Sequence, residues 1–262
     1  MKSIDFRTPL FIMIITSKSN KTVSFVNSLK NKKARKESGL YIVEGKKMLR
    51  EAFVAGKKVK TVVLSESAQL DFPLGNAEVL TVSDGVFSYL SDEVTPQGVL
   101  SVIARDEEFP FATGSVSILL DGLQDPGNMG TIIRTAVAAG VKDIFAVNCC
   151  DPYSPKAVRS SMSGIFYVNI RTCDFNTAKD MLGDIPLIVA DMRGESVFSF
   201  NPPQKYCLVV GNEGNGVSEE ARKSAKYTVK IPMSKNSESL NAAISLAVTL
   251  YELTEGKNKS LI

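Results

Sequence analysis

The chain has 262 residues, 44% hydrophobic and 23% charged, with a net charge of +3. A sequence of this make-up buries a core, which excludes wholesale disorder, collagen and coiled coil, and its length suits one large domain or two compact ones. Histidine is absent, which removes Ser-His-Asp hydrolysis, histidine acid–base catalysis and histidine-ligated metals. Cys149, Cys150, Cys173 and Cys207 form no C-x-x-C pair, so they read as buried thiols in a reducing compartment, with no metal site expected. No apolar run approaches the roughly 20 residues that cross a bilayer. The run Leu10 to Ile15 is too short for a signal-peptide core, so the expectation is a cytoplasmic protein that engages no membrane. The biological start is either Met1 or Met13.

Charge divides the chain. Residues 1–60 carry 15 Lys and Arg against 4 Asp and Glu, a net of +11, and the remainder is net −8. The densest run holds Lys30, Lys32, Lys33, Arg35 and Lys36 within seven residues. Such a run is either a solvated helix face or an attractor for a polyanion, RNA or DNA. Further cations at Lys46, Lys47, Arg50, Lys57, Lys58 and Lys60 favour nucleic acid.

Residues 1–17 read as an N-terminal extension. The pattern then predicts a helix over 18–31, a strand over 40–43, an amphipathic helix over 45–55 stopped by Gly56, strands over 60–64 and 79–82, a helix near 84–91 and a strand over 98–104. That is a small α/β unit over 18–106. A charged, turn-rich linker over 107–114 follows, with Pro110 and Gly114. The second domain, 115–262, alternates strands at 116–120, 143–147, 166–170, 187–190, 206–210 and 227–231 with helices at 129–139, 155–162, 175–182, 218–225 and 239–255. Such alternation implies a mostly parallel sheet covered on both faces.

Three loops at strand ends carry the polar signal. The first, Asp121 to Arg134, turns from a buried strand into a helix that Asn128 would cap. Its backbone donors and Arg134 suit an anion, or the turn is an ordinary capped helix. The second is Gly211-Asn212-Glu213-Gly214-Asn215-Gly216, bare backbone with one charge. The third runs Ile231-Pro232-Met233 to Ser239-Leu240-Asn241 and opens the last helix, with Ser239 or Asn241 as its cap. No G-x-G-x-x-G or P-loop spacing is present.

In this order, Asn-x5-Arg, then G-N-E-G-x-G after a strand, then I-P-M followed by S-L-N, the motifs resemble the SpoU (TrmH-type) branch of the SPOUT methyltransferases over about 115–256. That family transfers methyl from S-adenosylmethionine to an RNA ribose 2′-hydroxyl. The first half looks like its ribosomal-protein-like RNA-binding domain. The resemblance implies an α/β fold with a trefoil knot in the C-terminal parallel sheet, and a homodimer formed with help from the last helix. It places the cofactor against Gly211, Ile231 and Leu240 with Met233 nearby, and assigns catalytic roles to Arg134, Asn128, Glu213, Ser239 and Asn241. Arg134 would stand at the reacting hydroxyl, as base or as electrostatic guide, and Asn128 would orient the ribose. RNA contacts fall to Lys30, Lys32, Lys33, Arg35 and Lys36. A separate N-terminal domain favours ribosomal RNA, 23S above all. The alternatives are a tRNA 2′-O-methyltransferase and a non-catalytic RNA-binding or ribosome-assembly protein that keeps the fold. One position departs from the family pattern: Lys235 stands where the family has glycine, either narrowing the cofactor pocket or meeting RNA phosphate.

Overall fold

The computed structural model of the protein describes residues 13–106, 111, 114–236 and 239–255. Residues 1–12 of the expected extension and most of the linker, Pro110 included, lie outside them. The chain divides into two compact units, one ending at Arg105 and the other beginning at Asp106.

The first unit runs β1 (Ile14–Ile15), α1 (Lys21–Ser28), α2 (Lys32–Ser38), β2 (Leu40–Glu44), α3 (Lys46–Val54), β3 (Val59–Ser65), β4 (Glu78–Val82), α4 (Asp84–Leu90) and β5 (Val99–Ala104). Its sheet has the order β1-β4-β3-β5-β2. Ile14 and Ile15 pair with Thr81 and Val82, so part of the presumed extension is an edge strand; two residues are too few to show a period in sequence.

The helix expected over 18–31 is α1 alone, and a second helix that the pattern did not give, α2, follows it at Lys32–Ser38. Asn20 starts α1 by accepting from the Thr22 and Val23 amides at 2.9 and 3.3 Å. The Leu29 amide then tightens back onto the Val26 carbonyl, and the chain turns. Arg35 holds that turn: its Nη1 donates to the carbonyls of Leu29 (2.7 Å) and Lys30 (2.8 Å), and the residue is 2% exposed. Arg35 is therefore not a surface cation, because carbonyls released by α1 need a donor and the guanidinium supplies it. Lys30 is also partly committed, 2.9 Å from Asp92. Lys32, Lys33 and Lys36 stay exposed on α2.

The second unit runs β6 (Val116–Asp121), α5 (Pro126–Ala138), β7 (Asp143–Val147), α6 (Pro155–Ser161), a 3₁₀ turn (Met162–Phe166), β8 (Asn169–Cys173), α7 (Phe175–Leu182), β9 (Leu187–Ser196), β10 (Tyr206–Gly211), α8 (Glu219–Ser224), β11 (Tyr227–Lys230) and α9 (Ala242–Glu255). The strand order is β11-β9-β10-β6-β7-β8, and every pairing is parallel. A parallel sheet is covered on both faces: all of β7 and β10 and all but the first residue of β6 are buried. Cys207 and Cys149 sit in this interior, and burial pushes each thiol up to about 12. Cys150 and Cys173 are only half-buried, against the expectation.

Two strands differ from their sequence reading. The apolar stretch around residue 166 is a 3₁₀ turn against α5, with Gly164 beside the Arg134 backbone, so β8 begins at Asn169. β9 continues six residues past Ala190 into polar sequence, because β11 pairs with it through a register shift at Thr228–Val229. The order reverses between β10 and β6, and in such sheets the crevice for a ligand opens beyond the carboxyl ends of the strands at the reversal. Here Gly211 ends β10 beside Asp121 at the end of β6, which places the first and second polar loops side by side.

Candidate functional site

A cavity of about 490 Å³ opens at these strand ends. Its walls are Ala190–Arg193 of β9, Val210–Gly216, Val229–Ile231 with Met233, and Ser239–Leu240 with one face of α9. The glycine loop is tied at several points. Asn212 and Gly216 exchange backbone hydrogen bonds at 2.9 Å, the Asn212 Oδ1 accepts from the Gly214 and Asn215 amides, and its Nδ2 donates to the Gly122 carbonyl at 2.9 Å. Asp121, buried at the end of β6, accepts from the Ser218 amide at 2.7 Å. Gly211 is required by contact: a Cβ there would stand 2.2–2.3 Å from the Gly216 and Val217 backbone.

The first loop is capped by Asp125, not by Asn128. Asp125 accepts from the Asn128 amide at 2.8 Å and Pro126 opens the helix. This hydrogen bond, with Lys156 alongside, holds the Asp125 carboxyl below the usual carboxylate range. Because Asp125 does the capping, the Asn128 side chain is free for other partners. Its Nδ2 donates to Glu213 Oε1 at 2.8 Å, and its Oδ1 accepts from Asn241 Nδ2 at 3.0 Å. Asn241 in turn caps α9, its Oδ1 accepting from the Ala243 and Ile244 amides at 2.9 and 3.3 Å. Each amide is oriented from both ends: a cap takes the Asn241 oxygen, so its nitrogen must face Asn128, whose nitrogen then faces the Glu213 carboxylate. One chain of hydrogen bonds thus links all three polar loops.

Gly211, Ile231, Met233 and Leu240 line the cavity together with Glu213 and Ser239. Asn128 and Asn241 lie outside the lining and reach it through Glu213, which accepts from Asn128. Arg134 is exposed on α5 outside the lining and has no hydrogen-bond or ion-pair partner among the described residues. Lys235 is exposed and also outside the lining, so it does not narrow the cavity. Lys30, Lys32, Lys33, Arg35 and Lys36 all belong to the first unit.

The sequence reading missed Asp191, Arg193, Arg222 and Lys230, all in the cavity wall. Asp191 accepts from Arg193 Nε and Nη2, each at 3.0 Å, and from Arg222 Nε at 3.1 Å, while Arg222 Nη1 reaches Glu219 at 2.9 Å. The fork of Arg193 above all holds the Asp191 carboxyl far below the usual range. The available signal was the i, i+2 spacing of Asp191 and Arg193, which shares a strand face only once β9 is known to continue. Chemically the site offers carboxylate, amide, hydroxyl and guanidinium groups and a looped backbone. That set suits orienting a polar substrate beside a small ligand.

Comparison with known proteins adds five findings. Residues 115–251 match the SpoU rRNA Methylase family, and residues 20–101 match the MRM3-like substrate binding domain. The chain is 30% identical to the 23S rRNA (uridine(2479)-2′-O)-methyltransferase of Streptomyces viridochromogenes, covering 91% of this chain and 90% of that protein. It is 28% identical to the 23S rRNA (guanosine(2553)-2′-O)-methyltransferase RlmP of Bacillus subtilis, over 91% and 98%. Its structure is similar to that of an AdoMet-bound rRNA methyltransferase from Sinorhizobium meliloti, with a TM-score of 0.84 at 27% identity, covering 94% of this chain and 98% of that one.

Proposed function

Since this chain belongs to the SpoU rRNA Methylase family, we propose that it transfers a methyl group from S-adenosylmethionine to a ribose 2′-hydroxyl of ribosomal RNA, with 23S rRNA as the substrate. The observation that carries this reading is the Asn241–Asn128–Glu213 chain set against the cavity of the glycine loop. The residues present fit the cofactor. The volume lies within the roughly 300–1,000 Å³ of small-molecule sites, Val210, Ile231, Met233 and Leu240 supply apolar wall, and the loops at Gly211 and Leu240 present main chain.

S-adenosylmethionine supplies an activated methyl on a sulfonium. The protein's part is alignment and exclusion of water, which together account for much of such a rate. Asn128 and Glu213 form a donor–acceptor pair fixed in orientation, suited to hold the ribose. Arg134 acts as electrostatic guide, because a guanidinium keeps its proton. It lies six residues beyond Asn128, a rise of about 9 Å, and helical side chains lean toward the N-terminus. From there it would meet the substrate's phosphate and the reacting hydroxyl, whose proton passes to solvent as the oxygen attacks.

We extend the proposal to a homodimer through α9. Ala243, Leu246, Leu250 and Leu253 bury one face of that helix, while Ile244, Val248 and Tyr251 are 50%, 36% and 43% exposed on another. An apolar stripe at i, i+4 and i+7 needs a partner, and a second copy covers it isologously. The segment from β11 to α9 would form the trefoil knot, a path that an experimental chain trace from Leu187 to Glu255 tests. The exposed α2 lysines would meet RNA phosphates, and cytoplasmic work follows from the same reading.

The test is transfer of radiolabelled methyl to undermodified 23S rRNA, 16S rRNA and tRNA in parallel. Label at a 2′-oxygen of 23S rRNA is expected. Label in tRNA alone replaces the substrate assignment. No label anywhere, with no shift of the melting temperature by S-adenosylhomocysteine, overturns the enzymatic reading.

A further inference from the structure

Arg193 is a cation in the cavity wall whose fork is fixed from one side. An arginine carries five N–H donors in a fixed fork. Two of them, on Nε and Nη2, are spent on Asp191, and the residue's own amide also donates to Asp191 at 3.0 Å. The remaining three donors form the outer edge of the guanidinium and face no acceptor among the described residues. The side chain is 68% exposed while the Asp191 side chain beneath it is 11% exposed. Asp191 is therefore a half-buried brace held in its charged form by Arg193 and Arg222, and Arg193 is a held cation with one edge open.

The backbone under it is equally fixed. A Cβ on Gly194 would lie 2.5 Å from the Thr228 carbonyl group and the Val229 amide, so β9 is pressed against β11 immediately after Arg193. The neighbouring cations are differently placed. Arg222 is shared between two carboxylates, Asp191 and Glu219. Lys230 is a half-buried point charge without a fork. Among the described residues Glu213 is the only other charged group on the wall, and it bears the opposite sign.

Resting on the cofactor reading above, we infer that Arg193 receives the α-carboxylate of the amino-acid tail of S-adenosylmethionine. A forked guanidinium edge pairs with a carboxylate through two parallel hydrogen bonds, and a brace that fixes the fork beforehand reduces what is lost in ordering it. Arg193 then distinguishes the intact cofactor from analogues that lack the carboxylate.

The test is calorimetric binding to the full chain of S-adenosylhomocysteine and of its decarboxylated analogue, which keeps the amine. The wild type is expected to prefer the intact ligand about tenfold. Arg193→Met is expected to lose that preference while binding the decarboxylated analogue within about twofold of wild type. Equal weakening of both ligands means that Arg193 only shapes the wall, and overturns the inference. So does an unchanged preference, and loss of preference in Lys230→Met alone would transfer the role to Lys230. Intact ligand preference with weakened RNA binding in Arg193→Met would overturn it in favour of a phosphate contact. A wild type that binds neither ligand refutes the cofactor reading itself.

Discussion

Replacing Asn128 with alanine should remove far more rate than stability. Two hydrogen bonds disappear, one of 2.8 Å to Glu213 and one of 3.0 Å from Asn241. Both partners are exposed, so water replaces what they lose, and each bond contributes at the low end of about 0.5–1.5 kcal/mol. A total near 1 kcal/mol lowers Tm by roughly 2–4 °C in a domain of this size. A protein stable by at least about 5 kcal/mol stays almost wholly folded after that loss. The Asp125 cap uses the Asn128 backbone amide, which alanine retains. What alanine removes is the group proposed to orient the ribose, and misplacement by about 1 Å costs on the order of 100-fold in rate. Single-turnover methyl transfer should thus fall about 100-fold, with S-adenosylhomocysteine affinity within about threefold of wild type. Asn128→Ala and Asn241→Ala should be strongly non-additive, since each breaks the same chain. Activity within threefold of wild type, or a Tm drop beyond about 10 °C, would refute the positioning argument.

Three further outcomes follow from particular residues. Asp191 has a depressed pKa in the fold, so its pairing with Arg193 and Arg222 stabilises above the ordinary carboxylate range near 3.9 and is lost as pH falls below it. The stability gap between wild type and Asp191→Asn should therefore be full at pH 7 and shrink below about pH 4 in urea titrations; a gap constant with pH would contradict this. Arg35→Met should destabilise by about 1–3 kcal/mol, because two carbonyls lose their donor, and leave the salt dependence of RNA binding unchanged. Alanine at Lys32, Lys33 and Lys36 together should do the reverse, flattening the slope of log K against log salt by about 2, and an equal effect from Arg35→Met would return Arg35 to the RNA surface. Ile244→Asp should convert a dimer to monomer in sedimentation, and an unchanged mass would remove α9 from the interface.

Regular structure was legible wherever local signals agreed with the fold. Residues 175–182 form a helix with the predicted bounds, since Asp174 caps it and Gly183 ends it. The buried strands β6, β7 and β10 announce themselves as apolar runs. What escaped depends on distant partners. β1 exists only against β4, the extension of β9 only against β11, and the break after α1 is held by Arg35 from the next helix. Gly211, Glu213, Ile231, Met233, Ser239 and Leu240 meet at one cavity, as their order in the chain suggested, whereas Arg134 lies outside its lining. The cap was misassigned because Asp125 and Asn128 are both good capping residues, and Pro126 fits the first helical position after Asp125. Asp191 and Arg193 were passed over because nothing local marks them as facing a cavity.

The hydrogen-bond chain through Asn128 also sets a schedule. Its partners lie 85 and 113 residues further along the sequence, so a chain emerging from synthesis has the positively charged first unit long before it has a finished site. Contacts of such separation close late in folding. The first unit can therefore fold before Asn128 has either partner, and Asn241, arriving last, both caps α9 and orients Asn128. On the role proposed for Asn128, competence for methyl transfer then coincides with completion of the fold.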